Sequence, residues 1–476
     1  MTRLMRGLGR TAPKATRSPK CSKKRWASFL AASAWFFASA PDAHATGMQG
    51  HVYMAQCAAE QVQDTRLRTI FDAFPTHLAN GGFFPDSGYT SKDHDQGEIP
   101  HWEGYVQAYV ELIRETYGPK YDSPEAQQHI AFLMGMAAHG ITDSTYDAIF
   151  GDRAAQIEPV AIDSLDMANE IFLDHDLPRY YIPDIVVDAN THADVFTKRL
   201  QHPVTADAIT EAMKTARSGI AVVENLLYVG ADEWGAKYPW ARKHLLDPRI
   251  PGAYPFGAKV VMGYYRELLR RLDNDPSADQ VVIGTYPDAA YPLVTLDNTR
   301  PDGKIHFFFG EGLERASVDD ASIEVHDEAG NIIPAKWNFF RGDTWPNVIQ
   351  VALQEAWKPG AKYTVVLNPT IRTLQGVSPT KPFSYSFTTC TPSAPGGDCA
   401  EITGPAPASA CPKLDAQYSM RPLPPDEEDP PAVNPPKTTA DSASCSAAPL
   451  GEVGSAGAVA AVLFGCACFV VRRRRQ

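Results

Sequence analysis

Positive charge is scarce in this sequence once its first residues are set aside. The chain carries 44 Lys and Arg against 56 Asp and Glu, but residues 1–45 hold nine of the bases and one acid, leaving 35 bases against 55 acids. A body of that charge repels a phosphate backbone, and no interleaving of aromatic and basic residues offers a strip for stacking bases, so no duplex nucleic acid partner is expected. Lys and Arg are missing altogether from residues 121 to 152, so an acid buried there has no basic partner nearby in sequence. Cysteine is sparse too, at eight residues. Cys390, Cys399 and Cys411 fall together in a loop-rich tail where disulfides suit an oxidising compartment, and their odd number leaves the pairing open. Cys57, on a helical stretch, reads as a small buried hydrophobe.

Long apolar runs are few, and the two that stand out lie near the ends. "WASFLAASAWFFASA" follows a basic stretch from Arg3 to Arg25 and precedes Ala43-His44-Ala45. It is short for a spanning helix and reads as a signal peptide over 1–45, cleaved after Ala45 so that the mature chain starts at Thr46; a membrane anchor is the competing reading. At the other end, "SAGAVAAVLFGCACFVV" (455–471) precedes Arg472–Arg475. As a helix it would span about 26 Å, near the lower limit for a bilayer, which predicts a transmembrane helix within 450–476 with its Arg cluster cytoplasmic. Between them, residues 391–449 are rich in Pro, Ser and Ala and read as an extended linker.

A chain of 476 residues is too long for one core. Residues 46–280 read as α-helical. "YVQAYVELIRETYG" (105–118) has a period near 3.6, and "SPEAQQHIAFLMGMAAHG" (123–140) opens with a Ser cap, Pro and Glu. Further helices are expected over 208–230 and 257–274. Residues 71–100, rich in Gly, Pro, Asp and Ser, read as a long loop. From 281 to 390 the chain alternates instead. "IHFFFG", "SIEVHDEAGNII", "NVIQVALQ", "KYTVVLN" and "PFSYSFTT" are strand-like runs separated by turn signals, and Phe383, Tyr385 and Phe387 share one face. A small β-sandwich is expected there.

Polar residues suited to metal chemistry gather in the helical part. In "AFLMGMAAHGITDSTYD", His139 and Asp143 stand at i and i+4, with Asp147 one turn further on, all among apolar neighbours. Buried carboxylates need a partner or a metal, and no local Lys or Arg is present; the competing reading is a helix face wetted by solvent. Asp86 and His101 add an acid and an imidazole from separate segments, a mixed nitrogen and oxygen set that suits zinc. Asp166 and Glu170 form a second i, i+4 pair, with Asp163 on the same face. His94 reads as solvated, His129 as a helix-surface histidine, and Phe83, Phe84 and Trp102 as packing around the pocket.

His51, Pro85-Asp86, His101-Trp102 and "AFLMGMAAHGITD", in that order, resemble the zinc-dependent phospholipase C family, in the form found at the N-terminus of glycosylphosphatidylinositol-specific phospholipase D. Single-strand-specific zinc nucleases share this fold more distantly. The resemblance implies a multidomain chain: an all-α zinc phospholipase C/nuclease-like domain, then a small all-β Ig-like sandwich. It implies one zinc held by Asp86, His101, His139 and Asp143. A second would be held by the amine and carbonyl of Thr46 and by His51, sharing Asp143, with Asp86 as a catalytic residue orienting the nucleophile. The sequence departs from the family's third metal site, where Asp147 and Asp166 replace histidines and only Glu170 keeps its type. An all-oxygen set of Asp147, Asp166 and Glu170 would favour Ca²⁺, Mg²⁺ or Mn²⁺.

The strands from "TYPDAAYPLV" to "FSYSFTT" resemble bacterial Ig-like modules of surface-layer and secreted proteins, which implies a spacer or adhesion role. Cys445, the apolar segment and the Arg tail resemble myxobacterial-type C-terminal sorting signals. Together these resemblances imply an exported, zinc-dependent phosphodiester hydrolase at the cell surface or outer membrane. It would act phospholipase C-like on phospholipids at a membrane surface, with export and sorting machinery as partners. The alternatives are a nuclease-type phosphodiesterase and a non-catalytic surface-displayed binding or adhesion protein.

Overall fold

In a computed structural model of the chain, the structure describes residues 47–158, 162–176, 184–222, 230–275, 282–288, 290–342, 346–393, 399 and 411. The expected signal peptide, Thr46, Cys445 and the segment 455–471 lie outside them. The N-terminal part is helical and the C-terminal part is all-β.

The helical part begins with α1 (Met48–Gln61), α2 (Thr65–Ala73) and α3 (Pro75–Gly88). A single turn, α4 (Asp95–Glu98), runs into a 3-10 turn (Ile99–His101), and α5 (Glu103–Tyr117) follows. The longest helix, α6 (Pro124–Thr145), starts where the sequence places it: Ser123 accepts from the Ala126 N–H, and Pro124 needs no donor at the first position. It continues as a π-helix (Tyr146–Gly151) and α7 (Asp152–Ile157). Next come α8 (Ile162–Asp176), α9 (Ala189–Asp194), α10 (Ala206–Val222), α11 (Ala231–Lys237), α12 (Pro239–His244) and α13 (Tyr254–Leu272). Helices α1, α3, α6 and α13 pack on one another to form the core.

Residues 75–88 correct the expectation of a long loop. Gly and Pro disfavour a helix by roughly 1 and 3 kcal/mol each, but here Leu78, Ala79, Phe83 and Phe84 are buried, and Pro75 opens the helix where its missing N–H costs nothing. The glycines serve packing. A Cβ on Gly81 would lie 2.1 Å from the Phe132 carbonyl oxygen, and one on Gly135 would lie 2.0 Å from that of Leu78. Helices α3 and α6 therefore meet backbone to backbone, which no larger residue permits.

The β part is a sandwich of antiparallel strands: β1 (Val282–Tyr286), β2 (Ile305–Phe309), β3 (Ile323–His326), β4 (Ala335–Phe339), β5 (Val348–Leu353), β6 (Lys362–Leu367) and β7 (Phe383–Thr388). One sheet has the order β1-β2-β5-β4, the other β3-β6-β7. The sandwich docks on the helices. Gly263 of α13 packs on the β1 backbone, where a Cβ would meet the Ile283 carbonyl at 2.1 Å. Arg271 of α13, itself buried, pairs with Glu103, Glu267 and Glu311 and donates to the Gly310 carbonyl at 2.8 Å.

Three further expectations are corrected. Cys57 is not a lone buried thiol: it is bonded to Cys411, and Cys390 is bonded to Cys399, so the odd cysteine of the tail closes on the first helix. His129 is buried rather than on a helix surface, with its Nδ1 2.8 Å from the Tyr109 hydroxyl. The transmembrane helix is also corrected: among the described residues no helix is long and apolar enough to cross a membrane. The long helices are amphipathic or interrupted by polar residues, and the segment that prompted the expectation lies outside the described residues.

Candidate metal centre

Five of the expected ligands converge from four elements. His51 comes from the first turns of α1, Asp86 from the last turn of α3, His101 from the 3-10 turn, and His139 and Asp143 from successive turns of α6. The backbone contact of α3 with α6 sets Asp86 beside His139. His139 Nε2 lies 3.5 Å from Asp86 Oδ1 and 3.6 Å from Asp143 Oδ2. His101 Nε2 lies 3.4 and 3.8 Å from the same two oxygens, and His51 Nε2 lies 3.1 Å from Asp143 Oδ1. The His51 and His139 rings stack with centroids 3.6 Å apart. Two overlapping groups could hold a metal ion: His51, Asp86 and His139, and His101, His139 and Asp143.

The outer nitrogens fix which face each imidazole turns inward. His139 Nδ1 is 2.7 Å from the Gly82 carbonyl and His101 Nδ1 is 2.8 Å from the Gly97 carbonyl. A carbonyl only accepts, so both Nδ1 atoms carry hydrogen. Thr142 spends its hydroxyl proton on the His139 carbonyl at 2.9 Å, so at 2.7 Å it accepts from His51 Nδ1. In their neutral forms the three rings thus present Nε2 lone pairs to one another and to two carboxylates. His101 Nε2 and His139 Nε2 stand 3.0 Å apart, and Asp143 Oδ1 makes no hydrogen bond. A cluster made only of acceptors is repulsive unless it takes up positive charge. One proton between His101 and His139 relieves their contact alone; a divalent cation satisfies every member of the cluster.

The titration behaviour reflects the same deficit. Burial alone would raise the Asp86 carboxyl, but His139 and His101 hold it well below the usual range. Burial opposes protonation of His101, yet Asp86 and Asp143 outweigh it and push the imidazole up to about 9. His139 goes the other way, lowered by burial and by its imidazole neighbours. Without metal, the site therefore stores a proton on His101, which metal binding must release.

The expected third site does not stand at ligand spacing among the described residues, although Asp147 Oδ1 and Oδ2 and Asp166 Oδ1 are buried without a hydrogen bond there. Asp147, Asp166 and Glu170 do not form a metal-holding group among the described residues. Asp147 is fully buried on the π-helix with Arg341 Nη2 3.3 Å from its Oδ2. Burial raises its carboxyl well above the usual range, and Arg341 opposes that. Glu170 is engaged elsewhere: its two oxygens accept from the Gln49 and Gly50 N–H groups, each at 3.0 Å. It caps α1, where Gly47 has no side chain to do so, and so anchors the turn that carries His51. Thr46 would immediately precede that turn and lies outside the described residues.

Of the residues placed around the pocket, Phe83 and Phe84 belong to the core, while Trp102 donates from its indole to Glu98 at 2.8 Å. His94 is exposed. Sequence reasoning missed the orienting groups: Thr142, three residues after His139, and the Gly82 and Gly97 carbonyls. Only Thr142 left a sequence signal, a hydroxyl beside the bridging Asp143. It also missed Asp93, Asp95 and His202, a third group at ligand spacing, where His202 Nε2 pairs with Asp93 Oδ2 at 2.7 Å.

Comparison with known proteins gives two partial likenesses. Residues 279–389 match the family model of the bacterial Ig-like domain. Phosphatidylinositol-glycan-specific phospholipase D of Rattus norvegicus is 26% identical over 133 residues, 26% of this chain and 16% of that protein. The Bos taurus protein of the same name is 32% identical over 74 residues, 14% of this chain and 9% of that one. The chain thus spans less than a fifth of the length of the curated relatives it matches. Among solved structures, domains 1–6 of the surface-layer protein SbsC align at 11% identity and a TM-score of 0.19, covering 67% of this chain and 46% of that one. So low a score says nothing of fold or function.

Proposed function

We propose that this chain is an exported, zinc-dependent phosphodiester hydrolase that acts on phospholipid-type substrates, similar in chemistry to zinc-dependent phospholipases C. The observation that carries the reading is the convergence of three imidazole Nε2 atoms and two carboxylates on one space. The mixed nitrogen and oxygen set suits zinc better than a hard cation. Asp86, His101, His139 and Asp143 would hold one ion. His51 and Asp143 would hold a second, completed by the amine of Thr46 if the chain is trimmed after Ala45. When bound, the metals supply Lewis-acid stabilisation of phosphoryl charge and a water acidic enough to ionise near neutral pH.

The chain's own residues do the rest. Thr142, Gly82 and Gly97 hold the three imidazoles in one tautomer, so the donors need no rearrangement when metal arrives. Asp86 is the least buried of the five, its side chain 16% exposed, which supports it as the residue that would orient the attacking water. The sequence similarity to a phospholipase D supports a lipid phosphodiester as substrate. The Ig-like module and the two disulfides support an extracellular, surface-associated setting.

The test is hydrolysis of phosphatidylcholine and phosphatidylinositol vesicles by the processed protein, before and after chelation and zinc refilling, with single-stranded DNA as a parallel substrate. Lipid turnover that is lost on chelation, restored by zinc and absent in His139→Ala is the expected result. Turnover of DNA alone would move the reading to a nuclease-type phosphodiesterase. Zinc binding with no turnover would leave a surface-displayed binding protein.

A further inference from the structure

The sandwich reaches into the helical domain beside the metal centre. Arg341 sits at the tip between β4 and β5 with φ +52, followed by Gly342 with φ +66. A non-glycine residue in the left-handed region is strained and is held there only by what its side chain or backbone gains. Here the guanidinium meets Asp147, a residue with no solvent exposure, on the π-helix that continues α6. The sandwich contacts the residues on either side as well: Ser144 donates to Asn347 at 3.3 Å, and Gln350 donates to the Ala148 carbonyl at 3.5 Å. These positions bracket the turn that begins at Asp143, the carboxylate shared by all three imidazoles. Single π-turns inside helices recur at functional sites because they shift the phase of the side chains that follow.

We infer that Arg341 is a positioning residue for the metal centre: the Ig-like sandwich delivers a fixed positive charge to Asp147, and thereby holds in place the helix turn that presents Asp143. The sandwich is then a structural component of the hydrolase centre rather than a spacer. The consequence for metal binding rests on the proposed function; the ion pair itself does not.

The test uses the processed chain, stripped of metal, as wild type, Arg341→Met, Arg341→Lys, Asp147→Asn and the Arg341→Met/Asp147→Asn double variant. Melting in chelator is measured alongside zinc stoichiometry and affinity by chelator competition. Arg341→Met should lower the melting temperature by about 5 °C, because it takes the cationic neighbour from a buried carboxyl, and should weaken zinc binding roughly tenfold. Arg341→Lys should restore part of both. The double variant should recover most of both, since neither charge is then unpaired. Asp147→Asn alone should leave the zinc count unchanged. The inference is overturned if Arg341→Met behaves as wild type, if the two substitutions add without recovery, or if Asp147→Asn loses one equivalent of metal. Should the wild type bind no zinc, the positioning role falls with the metal reading, while the melting series still decides whether the ion pair exists.

Discussion

Two buried clusters of histidines lie within a few turns of each other in the helical domain, and they differ in what faces the imidazoles. Around His51, His101 and His139 the neighbours are carboxylates and other imidazoles. Around His129 and His192 phenols meet the Nδ1 atoms, Tyr109 at 2.8 Å and Tyr105 at 2.9 Å, and the one carboxylate in ion-pair range among the described residues is that of the half-exposed Asp188, 3.7 Å from His129 Nε2. A phenol has a proton of its own to give to a nitrogen lone pair, so these rings need no added charge. Burial lowers both imidazoles there, His192 to about 3. The first cluster has no such phenol among the described residues and takes up positive charge instead. Burial of a histidine therefore says little about function; the identity of the group on the inward nitrogen says a great deal.

The largest effect that could break this contrast is loss of an inward ligand. His139→Ala should remove one of the two zinc equivalents and lower phosphodiesterase activity by a factor on the order of 10³ or more. It should also remove the stabilisation that zinc gives through that site, about 4 kcal/mol at a thousandfold excess over Kd. Equal melting with and without zinc in the wild type would erase the difference between the clusters.

Acid should act next. His192 stays neutral in the folded chain down to a pH near 3, whereas the unfolded chain takes up a proton below its ordinary value of about 6.5. The unfolded state binds more protons across that window, so stability is lost as pH falls through it, on the order of 1.4 kcal/mol per unit at most. His192→Phe should flatten the acid limb of a chemical-denaturation series without changing the metal content. An unchanged acid limb would mean that this imidazole is charged in the fold.

Smaller still is Tyr105→Phe, which leaves His192 Nδ1 without its donor and should cost about 1–3 kcal/mol in chemical denaturation. Its zinc count should equal that of the wild type; a lower count would tie the phenol cluster to the metal. The smallest change expected is Thr142→Val. It frees the His51 ring from its orienting hydroxyl and should weaken the second zinc by roughly tenfold while sparing the first.

Much of this arrangement was legible in the sequence, and the exceptions share a cause. Helix α6 announced itself through its cap and its period, and His139 and Asp143 through their spacing. Strands β2, β5, β6 and β7 fell on the alternating or apolar runs. Helix α3 was not legible, because its glycines lower helix propensity and reveal their purpose only once Phe132 and Leu78 are opposite them. The Cys57–Cys411 bond spans 354 residues and no local pattern encodes it. The partner of Asp147 was sought within one segment that has no Lys or Arg, and it comes instead from the tip of a hairpin in another domain. Local physics shows what a residue needs, and tertiary structure decides who supplies it.

The most direct measurement is a zinc titration of the metal-stripped, processed chain, followed by elemental analysis after dialysis. The account predicts about two tightly held equivalents, with proton release as His101 gives up its charge. A chain that retains no stoichiometric zinc, and keeps His101 protonated in its presence, would contradict it.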